Sequence, residues 1–283
     1  MKLSQARIAI ALAVLVATTS GCGVVNRIRA KNELNEAART YREGLFVEAE
    51  QHSRTALALD PNNKTAPLFI ARTIHAQYKN GVTTPENIAK AREAIEAYRK
   101  ILEVDPTNDE AYKAIAFLYE RIKEDAKLRD WIIARANDSR VEADKRAEAY
   151  IVLASKDWNC SFQITDLPSN KVTTATPGKL TVSYKKPKEQ KDFDTAQMCV
   201  KRGIEEIENA LKFDPNSESA WSYKTNLLLE AAKLAEMEGN TERKAELDKQ
   251  REEAQKRTNQ LSEANRKKQA EEDAKKAASP PTS

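Results

Sequence analysis

The chain has 283 residues, of which 32% are charged and 40% hydrophobic, and a formal net charge of +4. So slight an excess gives no argument for a nucleic-acid partner. Lysine and arginine alternate with aspartate and glutamate, the pattern of solvated helix faces rather than of a polyionic tail. Residues 1–21 read MKLSQARIAIALAVLVATTSG, with basic Lys2 and Arg7, an apolar run from Ile8 to Ala17 and then small residues. That is the layout of a secretory signal, and it is too short to span a bilayer. Without Lys2 and Arg7 the remaining chain stands at +2.

Thr19, Ser20, Gly21 and Cys22 follow the apolar run. They resemble the bacterial lipobox, although an aliphatic residue usually stands where Thr19 does. The resemblance implies that Cys22 is lipidated and becomes the mature N-terminus, several acyl chains giving stable anchoring where one does not. The other reading is an ordinary secretion signal with an incidental cysteine. Gly23, rather than Asp, follows Cys22. By resemblance to lipoprotein sorting in two-membrane bacteria, this implies the periplasmic face of an outer membrane. Helical periodicity is expected from about Lys31, which makes residues 22–30 a lipidated tether.

Downstream, one phrase recurs: EAEQHSRTALALDPNN at 48–63, EAIEAYRKILEVDPTN at 93–108 and RGIEEIENALKFDPNS at 202–217. In the middle copy Ala94, Ile95, Ala97, Tyr98, Ile101, Leu102 and Val104 alternate steps of three and four, one broad helix face. Pro106 ends that helix, and Thr107 with Glu110 fits a capping box that starts another. Each unit is helix, sharp turn, helix, and none can bury its apolar face alone, so the units must stack.

These units resemble the tetratricopeptide repeat (TPR), a helix pair of ~34 residues. Ala37, Gly44, Phe46, Ala49, Ala56, Leu57 and Pro61 carry the pattern in the first unit, and Ala94, Tyr98, Leu102 and Pro106 in the second. Tyr112, Ile115, Ala116 and Tyr119 open a third, whose second helix (128–137) drifts from the pattern. Ala210, Leu211, Pro215 and Trp221 mark the last. The expected fold is an all-α helix-pair solenoid over residues 31–240. Pro61 and Pro106 lie 45 residues apart, more than one unit, with the surplus at Asn80–Pro85.

A larger insertion is expected within 158–191. Cys160, Phe162 and Ile164 alternate with polar residues, as do Leu180, Val182 and Tyr184, with Pro168, Asn170 and Pro177-Gly178 between. Period two with intervening turn residues predicts a β-hairpin with a long loop, either a tolerated decoration or a partner-contacting arm. In an oxidising compartment Cys160 and Cys199 could pair and tie the insertion to the helices. Alternatively, Cys199 is a small core residue. Residues 241–276 lack Gly and Pro and predict a long charged helix in which Leu247, Ala254 and Leu261 form a thin stripe. Residues 277–283 predict a disordered tail.

The sequence carries no pattern of catalytic chemistry. His52 and His75 sit on separate predicted helices without metal-ligand spacing, and there is no nucleophile elbow or phosphate loop. No enzyme activity, metal or cofactor is expected. The TPR resemblance implies instead a concave surface lined by the first helix of each pair. Carried over by position, it would present Tyr41 and Arg42, then Arg72 and His75, then Lys113, Phe117 and Arg121, and finally Asn226. Cations beside aromatics suit an extended peptide, although a clamp for peptide C-termini would need Asn where Phe117 stands. The function expected is a membrane-anchored scaffold of the cell envelope, in assembly of outer-membrane or pilus and secretion machinery. Its partners would be other envelope proteins or extended peptides. An adaptor of periplasmic hydrolases, or an enzyme built on the insertion, are the alternatives.

Overall fold

The structure, a computed structural model, describes residues 23–176 and 178–278. Residues 1–22, where the secretory signal and lipidated Cys22 are expected, and residues 279–283 lie outside them. Helices dominate: α1 (23–42), α2 (Phe46–Leu59), α3 (Ala66–Gln77), α4 (Pro85–Val104), α5 (Asp109–Arg121), α6 (Asp125–Asn137), α7 (Ala143–Thr165), α8 (Gln190–Phe213), α9 (Glu218–Met237) and α10 (Thr241–Ala278). Strands β1 (Lys171–Thr176) and β2 (Lys179–Tyr184) lie between α7 and α8. The described residues therefore form an all-α fold of helix pairs with one small hairpin. It gathers into two compact units that divide between Leu128 and Arg129.

The recurring phrase builds one recurring corner. Asp60, Asp105 and Asp214 each end a helix with nearly the same backbone, φ/ψ being −135/86, −129/86 and −135/88°. Each donates its N–H to the carbonyl four residues back, on Ala56, Ile101 and Ala210, at 2.8–3.0 Å. Three residues on, the N–H groups of Asn63, Asn108 and Ser217 return to the aspartate carbonyls. The side chains of those three residues then accept from the N–H of Ala66, Ala111 and Ala220 at 2.9, 3.0 and 3.2 Å. The corner thus supplies partners to groups that a helix end leaves unpaired. The three alanines are fully buried, so adjacent helices approach closely there.

At the second corner the capping box does not form. Asn108, not Thr107, is the N-cap, and the Thr107 hydroxyl bonds Asp105 at 2.7 Å. Glu110 is drawn away by Arg72, on α3.

In the first unit, α1 packs through Ala30 and Leu34 on Ala56 of α2 and Ala66 of α3. Glu33 of α1 and His52 of α2 meet at 2.6 Å. The helix already runs at residue 23, the first described residue, rather than from near Lys31, so residues 23–30 of the expected tether are two turns of α1. The surplus between Pro61 and Pro106 is a loop closed by Asn87. Its side chain accepts from Lys79 N–H and donates to the carbonyls of Lys79 and Val82, all within 2.8 Å.

In the second unit, α8 and α9 form the pair made by the third phrase, and α7 packs on both. Ala154, Ile207, Ala210, Ala220 and Leu227 form its core. Gly203 lets α8 approach: a Cβ there would stand 2.6 Å from Leu227 Cδ2. Helix α10 covers the outer side of α9, with Leu247 and Ala254 against Leu228, Ala232 and Ala235. Arg257 and Asn265 reach Asn216 and Glu218 at 2.6 and 2.8 Å, so α10 runs antiparallel back to the start of α9. Residues 277 and 278, expected in the tail, continue this helix.

The insertion is smaller than expected. Cys160, Phe162 and Ile164 are not a strand; they belong to α7, which runs on to Thr165, and α8 already begins at Gln190, inside the expected insertion. Trp158 stacks on Phe162, a helix-spaced pair, at 5.2 Å. The real first strand is Lys171–Thr176, paired antiparallel with β2 from Lys171↔Tyr184 to Thr176↔Lys179. Cys160 and Cys199 form a disulfide that joins α7 to α8, with Cα atoms 6.1 Å apart. It ties helix to helix and does not pin the hairpin itself. The hairpin is held at its base, where Tyr184 donates its N–H to Glu236 on α9 and packs against the Phe193 cluster.

Asn108→Ala is expected to cost about 1 kcal/mol by leaving the first turn of α5 uncapped, read as a lower Tm. Reducing the Cys160–Cys199 bond is expected to cost ~2–4 kcal/mol. Non-reducing peptide mapping should find the linked pair, and denaturant titration with and without reductant measures the cost.

Candidate functional site

The residues expected to line a binding surface fall in two places. Seven lie in the first unit, on α1, α3 and α5; Asn226, half-buried on α9, belongs to the second unit. Within the first unit the structure brings three of the seven, His75, Phe117 and Arg121, together.

The nucleus is His75 of α3. Its ring meets Tyr98 edge-on at 5.9 Å and Phe117 of α5 at 5.7 Å, and its Nδ1 lies 3.4 Å from the Tyr98 hydroxyl. Burial lowers the His75 pKa, so the ring stays neutral at pH 7. Burial also raises the Tyr98 phenol above its ordinary value, with the Glu110 carboxylate adding to it. Tyr98 is 2% exposed and acts as a floor beneath the histidine, while Phe117 is 39% exposed and Arg121 lies over its ring at 4.8 Å. The patch thus has a rigid aromatic base, an accessible ring and a cation held over it.

The other residues divide by availability. Arg72 is engaged by Glu110 in a two-pronged pair at 2.5 and 2.6 Å, so its guanidinium is spent on joining α3 to α5. Lys113 is exposed but pairs along its own helix with Asp109 at 2.5 Å. Tyr41, at the end of α1, is 36% exposed and meets Phe46 edge-on at 5.2 Å. Arg42 is exposed beside it. Two contributors escaped the sequence reading, Tyr98 and Glu110. Tyr98 was visible only as a core aromatic and Glu110 only as a capping residue.

A second cluster, in the other unit, has the composition of an active site but the connections of a structural pin. Asp157, 2% exposed, accepts from Arg129 at 3.2 Å and from Arg202 at 2.5 Å, and Arg129 also holds Glu206. Burial pushes the Glu206 carboxyl up to about 8; Arg129 opposes the shift and the neighbouring Asp157 carboxylate adds to it. Nearby, Glu230 accepts from Ser161 and Thr165 and pairs with Lys233, whose ammonium lies over Phe162 and Tyr184. The Asp157 and Glu230 carboxylates each face donors from neighbouring helices, which is how buried charge is retained in a core. Among the described residues no group of three or more His, Cys, Asp or Glu is placed to hold a metal ion, and no helix is long and apolar enough to cross a membrane.

No protein-family model matches the chain, and no curated protein matches it. Among solved structures it is similar to a double mutant of MamA from strain RS-1, with 15% identity over 84% of this chain and 96% of that one, TM-score 0.41. PilF of Pseudomonas aeruginosa shares 14% identity over 80% of this chain and 91% of its own, TM-score 0.35. A tetratricopeptide repeat protein of Parabacteroides merdae shares 13% over 82% and 97%, TM-score 0.34. The helix-pair architecture of the chain is read from its own corners and packing.

Glu206 makes stability depend on pH. Its folded pKa lies above its unfolded one, so the folded state holds the extra proton between roughly pH 4.5 and 8. Stability is expected to fall as pH rises through that window and then to level off. Denaturant midpoints across the range check this, and Glu206→Gln should flatten the dependence.

Proposed function

We propose that this chain is a protein-binding scaffold, anchored by lipid on Cys22 at the periplasmic face of an outer membrane, and that it serves in assembly of outer-membrane or pilus and secretion machinery. One observation carries the binding part: the exposed Phe117 ring, backed by His75 and Tyr98 and covered by Arg121. An accessible aromatic on a rigid base gives area at little entropic cost, and a guanidinium above it selects a carboxylate or a carbonyl. Tyr41 and Arg42 offer a second aromatic and cation on the same unit. The chemistry fits an extended peptide with an apolar side chain near an acidic group. Arg72 and Lys113 contribute less than their exposure suggests, because each already has a carboxylate. The anchoring part rests on the residues before α1, from the apolar leader to Cys22.

Tyr41→Ala with Arg121→Glu is expected to weaken partner capture about thirtyfold, the scale of one hot spot, with an unchanged circular dichroism spectrum. Unchanged capture would place the site elsewhere. In-cell crosslinking with mass spectrometry supplies the partner. Barrel proteins, a secretin or pilus components support the assembly role, whereas soluble hydrolases point to an adaptor. Cys22→Ser should leave the membrane fraction after a high-salt wash, and retention there would refute the lipid anchor.

A further inference from the structure

Helix α1 has a face that the fold does not use. Ala30 and Ala37 are fully buried and point into the first unit. On the other side Val24, Val25 and Ile28 are 57, 49 and 58% exposed. With about 100° of rotation per residue, these three fall within one arc of about 100°, nearly opposite Ala30 and Ala37. Arg29 flanks that arc on one side, Arg27 and Lys31 on the other, and all three are exposed. From residue 23 to residue 32 there is no acidic side chain; the first is Glu33, on the inner side against His52. Beyond Lys31 the same outward arc turns polar, with Asn32, Asn35, Glu36 and Arg39. The apolar stripe is thus confined to the turns next to Cys22.

We propose that the first two turns of α1 lie in the surface of an anionic phospholipid membrane. Val24, Val25 and Ile28 enter the boundary between headgroups and acyl chains, and Arg27, Arg29 and Lys31 reach up to lipid phosphates on either side. An apolar arc bordered by cations on both flanks is the arrangement of a helix lying in an interface, where long basic side chains extend to the headgroups. The charge complementarity selects lipid over a second copy of this chain, because packing two such faces together would bring like cations into contact. The inference deepens the anchoring reading, on which it rests for the nearness of a bilayer. It adds a contact that fixes how the first unit lies on that bilayer, where an acyl chain alone would leave it swinging.

The test uses residues 22–283 with Cys22→Ser, which keep every helix of the fold and lack acyl chains. Co-sedimentation with vesicles of phosphatidylcholine containing about one third phosphatidylglycerol is expected to exceed that with pure phosphatidylcholine by about tenfold in affinity, with the difference lost in high salt. Val24→Asp with Ile28→Asp should abolish the binding, and Arg27→Glu with Arg29→Glu should remove the preference for anionic vesicles. A dye on Val25→Cys, unique because Cys160 and Cys199 are bridged, should report an apolar environment only when anionic vesicles are added. Absence of vesicle binding, or binding indifferent to Val24→Asp with Ile28→Asp, overturns the proposal. So does a dimer that those substitutions dissociate, which would assign the face to a second copy. These outcomes leave the lipid anchor untouched, since mass spectrometry of the mature N-terminus reads the acyl chains on Cys22 directly.

Discussion

The structure depends on a single corner used three times. A helix ends at an aspartate, a proline forbids continuation, and an amide or hydroxyl two residues after the proline opens the next helix. Proline removes a donor and blocks the helical conformation of the residue before it. The cap then accepts one of the N–H groups that the new helix leaves orphaned. The near identity of the backbone at Asp60, Asp105 and Asp214 fixes the angle between the two helices of each pair. With the angle fixed, Ala66, Ala111 and Ala220 fall where helices cross, and their small side chains set the distance. A larger residue there would overpack a close contact. Corner and alanine are one device, and both helix-pair cores follow from it.

The second unit adds a different kind of constraint. Its core contains Asp157, Glu206, Glu230 and Lys233, all at most 9% exposed. Buried charge is poor value as stabilisation but exacting in geometry, because each group must find its partners or bear a desolvation cost. Arg129, at the start of this unit, reaches both Asp157 of α7 and Glu206 of α8, and Arg202 reaches Asp157 from the other side. The disulfide between Cys160 and Cys199 joins the same two helices one turn away. The α7–α8 contact is therefore specified three ways: by apolar packing, by charge and by a covalent bond. The rest of the insertion then needs little, and a two-stranded hairpin that would be marginal alone hangs from Tyr184, bonded to Glu236, and from Asn170, whose amide donates to the Ile164 carbonyl of α7.

The repeats were legible because a proline and a cap at fixed offsets are local chemistry, readable without any partner. The helix of residues 241–278 was legible for the same reason, and its stripe of Leu247, Ala254 and Leu261 identified the packed side. The misreadings arose where local chemistry was ambiguous and a distant residue decided. Cys160, Phe162 and Ile164 alternate like a strand, but three alternations cannot outvote a helix already running from Ala143 whose inner side is bonded to Glu230 through Ser161 and Thr165. Glu110 suited a capping box until Arg72, 38 residues earlier, claimed both its oxygens. The candidate site shows the same division. Phe117 and Arg121 could be placed from helix position, whereas the role of Tyr98 needed the packing of α4 beneath α3.

Helix α1 shows how the two surfaces of the first unit can serve different neighbours. Val25 and Tyr41 are 16 residues apart on one helix, about 24 Å along its axis. The centre of the Val24–Val25–Ile28 arc and the side chain of Tyr41 are also separated by roughly 150° around that axis. A bilayer along the outward side of the first turns would therefore leave Tyr41 facing away from lipid. Because the apolar residues are on the side of the helix and not at its tip, α1 would lie along the membrane rather than stand on it. The corners at Asp60 and Asp105 set α3 against α2 and α5 against α4. The repetition that reads in the sequence as redundancy is, in the fold, what places the helices that carry His75 and Phe117.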